Sequence, residues 1–184
     1  MNKVKTRNLL ILVHLFLAAF LAPSFLMVGI TGALKLAGVD PAIEDIPIEL
    51  PAGTQLDPDS PTLKQDIGTI LAAQNIHLDI ESVRSRGGNM TTRPTSRTFA
   101  RINQTPDGLE ASLHKPGFQY AMMELHKGHG PATFKTYQMI AGICLFLVIV
   151  GGLIVGLMAK PYRRKTLVSL GLGTVAFVAL GFLV

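Results

Sequence analysis

The sequence predicts a membrane α+β protein, with three transmembrane helices and a small extracytoplasmic domain, one helix on an antiparallel sheet, between the first and the second. Three observations lead there. The stretches 8–36, 137–159 and 166–184 hold no charged residue except Lys35, and at about 1.5 Å rise per residue each can cross roughly 30 Å of hydrocarbon. All twelve acidic residues, from Asp40 to Glu124, fall between the first and second of these stretches. That middle section alternates apolar and polar residues between turn signals, as half-buried strands do. A composition 48% hydrophobic and 16% charged, with a mean hydropathy of +0.39, is too apolar for a soluble domain of 184 residues.

The first span begins after Lys3, Lys5 and Arg7. These cations and the small residues around 18–22 also resemble a signal peptide, but the apolar run continues too far and Pro23 discourages cleavage, so an uncleaved anchor is expected. A second cationic cluster, Lys160, Arg163, Arg164 and Lys165, follows the second span. Short loops rich in Lys and Arg stay in the cytoplasm, and two spans separate the clusters, so both sit inside and the C-terminus outside. The expected organisation is a cytoplasmic N-terminus with the first helix (1–36), an outer domain (37–133), a second helix (134–159), a cytoplasmic turn (160–165) whose proline stops that helix, and a third helix (166–184). The net charge of +5 is thus a topology signal and not a nucleic-acid footprint, for the outer segment has eight Lys and Arg against twelve acids, a net of −4.

Within the first span Pro23 is expected to kink the helix. Gly29, Gly32 and Ala33, Gly152 and Gly156 in a Gly-x-x-x-Gly pattern, and Gly173 let other helices approach, which points to partner subunits or a homo-oligomer within the bilayer. The single Cys144 reads as a small buried hydrophobe, and the outer domain folds without a disulfide.

In the outer domain, the proline-rich segment 39–56 reads as an extended entry strand or linker. Ser60-Pro61 opens a helix in which Leu63, Ile67, Ile70 and Leu71 recur at helical spacing, ending near Gln74-Asn75. Strands are expected at 76–83, 98–103 and 108–114, the last two joined as a hairpin by Thr105-Pro106-Asp107-Gly108. His77 faces water in the first of them. Arg84, Arg86, Arg93, Arg97 and Arg101, around Gly87-Gly88-Asn89, read as a solvated, mobile loop or as a site for an anionic ligand or lipid headgroups.

Candidate chemistry rests on histidines. His14, two turns inside the first span, needs a partner there: it is a haem or proton-transfer ligand, or it bonds a neighbouring helix. His126 and His129 stand in Leu125-His126-Lys127-Gly128-His129-Gly130, just before the second span. They read as interfacial residues or, with Met122 and Met123, as ligands of a soft metal ion such as Cu(I). Roughly 20 Å of membrane separates His14 from His126 and His129 along the axis. A bis-histidine haem shared between them within one subunit is therefore excluded, and one at His14 needs its second ligand from another chain. There is no nucleophile motif, phosphate loop or dinucleotide fingerprint, so the reading leans away from an enzyme.

His14 and Thr31-Gly32 in the first span, with Leu125-His126-x-Gly128-His129-Gly130 before a Gly-rich second span, resemble the PepSY-associated transmembrane proteins of bacteria. The resemblance covers most of the chain. It implies a PepSY-type outer domain and an inner-membrane location, where the topology read from the cationic clusters puts the C-terminus in the periplasm. Two roles are expected, the second of them implied by the resemblance. One, from the close-packing helix faces, the small outer domain and the lack of a catalytic motif, is a non-enzymatic accessory, assembly or regulatory subunit of a membrane complex. The other is a haem-binding electron-transfer component of periplasmic iron or siderophore reduction, with haem b as cofactor and His14, His126 and His129 as its residues. Two departures stand out: only three spans, and Gly151-Gly152 where a Thr-Gly pair is expected.

Overall fold

A computed structural model describes residues 3–51, 53–106 and 108–183. The chain separates into two compact units, one formed by Met1–Ser24 with Met139–Val184, the other by Phe25–Gln138. Helix α1 (Lys3–Leu36) contributes to both, as does α4 (Ala132–Met158). Helix α5 (Lys160–Val178) ends in a π-helical turn, Ala179–Leu183. Lys5–Leu36, Ala132–Met158 and Lys160–Leu183 are each long and apolar enough to cross a membrane, which agrees with the three expected spans.

In the first unit the break between α4 and α5 is one residue. Ala159 is extended (φ −83°, ψ 104°), and Lys160 already begins α5 with Pro161 in its first turn. The proline does not end the second helix, as expected from sequence; it starts the third, where its missing N–H costs nothing and its φ is already helical. The cationic run 160–165 is accordingly helical and not a turn. Helix α1 runs through Pro23 without interruption. Cys144 is half-exposed and not buried.

The second unit carries the sheet, formed by β1 (Ile43–Ile48), β2 (Ser82–Arg86), β3 (Asn89–Arg93), β4 (Phe99–Thr105) and β5 (Gly108–Pro116), in the order β1-β5-β4-β3-β2 with every neighbour antiparallel. β1 realises the extended entry segment: its Pro47 lies on an edge strand, the place in a sheet that tolerates proline. The expected hairpin forms with Phe99 opposite His114 and Thr105 opposite Gly108; of its turn residues, Asp107 lies outside the described residues.

Helix α2 (Leu63–Ala73) lays Leu63, Ile67 and Leu71 on one sheet face, against Met90, Ala100 and Ile102. Helix α3 (Phe118–His126) covers part of the other, where Tyr120 stacks on Phe99 (centroids 6.3 Å apart) and Phe99 on His114 (4.9 Å, 11° between planes).

Two expectations fail here. Segment 76–81 is not a strand, although Ile76, Leu78 and Ile80 pack on the core while His77 and Asp79 are exposed. Period-two alternation records burial of an extended chain and does not require a ladder partner. The arginine-rich stretch, in turn, is mostly strand: Arg84, Arg86 and Arg93 lie in the β2–β3 hairpin, turned by Gly87 and Gly88 at φ +57° and +80°, and Arg101 lies in β4, which leaves Arg97 in the connection between β3 and β4. Two successive positive φ values match the twist of the flanking strands, and glycine adopts them freely.

His114 is buried to 5% exposure with Nδ1 unpartnered, while Nε2 lies 3.0 Å from Ser112 Oγ. Burial, reinforced by the Arg101 charge and opposed by Asp45, holds its pKa below the ordinary 6.5. The folded pKa is depressed, so this histidine's contribution to stability is complete above about pH 6.5 and declines as pH falls through the lowered value. Melting curves of the full chain in detergent between pH 5 and 8 should show that decline, and His114→Phe should abolish it. Identical profiles for the two proteins would refute this assignment.

Candidate functional site: the helix junction and the membrane cavity

The sequence Leu125-His126-Lys127-Gly128-His129-Gly130 forms the end of α3 and its exit. Gly128 N–H donates to Leu125 O (3.0 Å) and His129 N–H to Glu124 O (2.9 Å), with Gly128 at φ +75°. This pair of bonds around a left-handed glycine is a Schellman termination. Gly130 is needed for a different reason: a Cβ there would lie 2.6 Å from Leu125 Cδ2 and 3.3 Å from Phe134 Cδ1.

Both histidines of the motif are held through Nδ1. Thr31 Oγ1 donates to Met27 O at 2.7 Å, which uses its only proton, and so accepts from His126 Nδ1 at 2.8 Å. His129 Nδ1 lies 2.7 Å from Glu124 Oε2, a carboxylate oxygen that can only accept. Each Nε2 is therefore left without the ring proton in the neutral imidazole. Met123 is buried and Met122 half-buried. Among the described residues no group of three or more His, Cys, Asp or Glu is placed to hold a metal ion.

Glu124 is the residue that the sequence reading passed over. Only 4% exposed, its carboxylate accepts from Thr95 Oγ1 (2.5 Å), His129 Nδ1 and Lys127 Nζ (2.8 Å), with Arg93 Nη1 at 3.7 Å. Burial by itself would raise its pKa; hydrogen bonds from Lys127, Thr95 and His129 outweigh that and hold it below the ordinary value. Thr95 N–H also donates to His129 O at 3.1 Å. The available signal was an acidic residue flanked by the apolar Met122, Met123 and Leu125, a charge that burial leaves unstable without partners.

Among the described residues, the outer domain is joined to helix ends by Thr31 of α1 to His126, by Gln138 of α4 to Leu125 O (2.6 Å), and by Ala132 N–H of α4 to Glu81 Oε2 (2.9 Å).

His14 stands apart from this junction, in the first unit. Its Nδ1 donates to Val148 O of α4 at 3.0 Å. Gly152 makes room for the ring, since a Cβ there would lie 3.1 Å from His14 Cε1; Gly156 likewise admits Thr166. Around them lies a cavity of about 490 Å³, mostly apolar, with Arg7, His14 and Tyr162 as its polar members. Of the glycines proposed for helix contacts, Gly29, Gly32 and Gly173 border open space: a Cβ added at any of them would meet nothing within 4 Å beyond its own helix among the described residues.

Comparisons with protein-family models, curated proteins and solved structures return no significant match.

Proposed function

We propose that this chain is a short PepSY-like protein of the bacterial inner membrane that acts as a non-enzymatic accessory, assembly or regulatory subunit, its outer domain presenting a periplasmic surface mounted on the adjoining ends of α1 and α4. The observation that carries this reading is the junction at residues 124–130. Its polar side chains are engaged in fastening α3 to α1 and to the sheet, as a mount requires and a reaction centre does not. In this reading the N-terminus is cytoplasmic and the C-terminus periplasmic, as the cationic clusters imply. Affinity capture of the full chain in a mild detergent tests it: co-purification of defined membrane subunits supports the role, and a chain that elutes alone under every condition opposes it.

The second reading, a haem-binding electron-transfer component, is favoured by His14 and its cavity. An imidazole with Nδ1 bonded to a carbonyl presents Nε2 as a ligand, the arrangement common in histidine-ligated metal centres. The cavity falls within the usual range for cofactor sites, and Arg7 supplies a cation for acidic substituents. His14 would be this chain's ligand to the group, and a second ligand would come from another chain. Haem would supply one-electron transfer; this chain's residues would bind and orient it. A Soret band in the purified protein, lost in His14→Ala, is the expected result, and a spectrum without it ends this reading.

A further inference from the structure

The sheet sorts the arginines between residues 84 and 101. Arg97 pairs with Asp79 at 3.2 Å, and Arg93 faces Glu124. Arg84, Arg86 and Arg101 make no hydrogen bond or ion pair among the described residues. Strand register places Arg84, Thr91, Arg101 and Ser112 in a single cross-strand row, all on one face, and Arg86 lies two residues further along β2 on that same face. With strands about 4.8 Å apart, Arg84 and Arg101 are roughly 10 Å apart at Cα, and Arg84 and Arg86 about 7 Å. Helix α3 covers the neighbouring positions Phe99 and His114; in the row itself Arg84 is exposed and Thr91, Arg101 and Ser112 are half-buried.

Charges on an edge strand serve to block sheet-to-sheet pairing, and that alone accounts for Arg84 and Arg86 on β2. It does not account for Arg101, which sits two strands in from that edge and is half-buried with no counter-ion among the described residues. A cluster of guanidinium groups without internal partners fits phosphate, which guanidinium binds through paired N–H groups.

The position of the row selects the source of that phosphate. Glu81, immediately before β2, accepts from the N–H of Ala132, the first residue of a helix apolar enough to span a bilayer. Three residues of extended chain, at most about 10 Å, lead from Glu81 to Arg84. The long side chain of Arg84 is thereby within reach of the headgroup layer that α4 enters. We infer that Arg84, Arg86 and Arg101 form a docking surface for the phosphate headgroups of anionic phospholipids in that leaflet.

The test uses the full chain in nanodiscs of phosphatidylcholine alone or with about one third phosphatidylglycerol, read by amide hydrogen exchange across residues 82–93. Phosphatidylglycerol should slow exchange in the hairpin, and roughly 0.5 M salt should reverse the effect by screening. Binding should weaken about fivefold for each arginine removed. R84A/R101A should lose the slowing and melt at the wild-type temperature, since neither side chain has a partner to lose; R84K/R101K should retain part of it. Equal exchange in the two lipid compositions would overturn the inference, as would slowing that survives in R84A/R101A. Slowing by inorganic phosphate in phosphatidylcholine discs, equal to that by phosphatidylglycerol, would also overturn it and assign the row to a soluble anion.

Discussion

Replacing Glu124 by alanine is expected to destabilise the outer domain by about 3 kcal/mol, because it removes one side of a buried charge cluster and leaves the other side in place. Arg93, 14% exposed, loses its carboxylate, and Thr95 and His129 lose the acceptor that ties the loop after β3 to the end of α3. The consequence is local as well as global. The Schellman turn at Gly128 survives, but nothing then fixes His129 against Thr95 except the single backbone bond. Trypsin cleavage after Lys127 in the full detergent-solubilised chain should accelerate on the order of a hundredfold, since cleavage follows the population of the opened junction. Glu124→Gln keeps one acceptor oxygen but puts a donor amide in place of the other and removes the charge, and should fall between. The pH sign follows from the lowered pKa: the wild-type contribution is complete above the ordinary carboxylate value near 4.5 and disappears as pH falls through the folded one. Unchanged proteolysis in Glu124→Ala would show that the junction is held elsewhere.

The features legible in the sequence were those that depend on one local rule. Apolar length marked the three helices, and the spacing of Leu63, Ile67 and Leu71 marked α2 and its buried side. The β4–β5 hairpin followed from alternation on both sides of a proline-containing turn. What escaped was decided by neighbours distant in sequence. Segment 76–81 alternates like a strand but finds no ladder partner beyond one bond, Glu81 N–H to Arg93 O. His114 alternates with apolar residues on a face that an exposed sheet would give to water; α3, arriving later in the chain, covers that face. The junction motif was visible as a motif, and its histidines were singled out, but their partners Thr31 and Glu124 come from another helix and from a residue read only as a charge. Gly128 and Gly130 look alike in sequence, yet one supplies a backbone angle and the other empty space.

Phe99→Ala separates the two layers of the outer domain by experiment. Phe99 is 1% exposed and carries the stack that joins β4 to His114 on β5 and to Tyr120 on α3. Truncation of a buried phenylalanine costs about 3–5 kcal/mol, and here the cavity opens beneath α3 and away from α2. Helix α3 has nine residues, too few to persist in water without a packed face. Its amides should therefore exchange faster in Phe99→Ala by a larger factor than those of α2, whose packing on Met90 and Ile102 is untouched. Leu71→Ala, on the opposite face, should reverse the order at a comparable cost of about 2–5 kcal/mol. If the two variants loosen both helices equally, the domain opens as one cooperative unit and α3 is no separable clasp. If the order reverses as argued, α3 is the clasp between sheet and membrane helices: it is held by Phe99 on one side and Thr31 on the other, and its release frees the mount without unfolding the sheet.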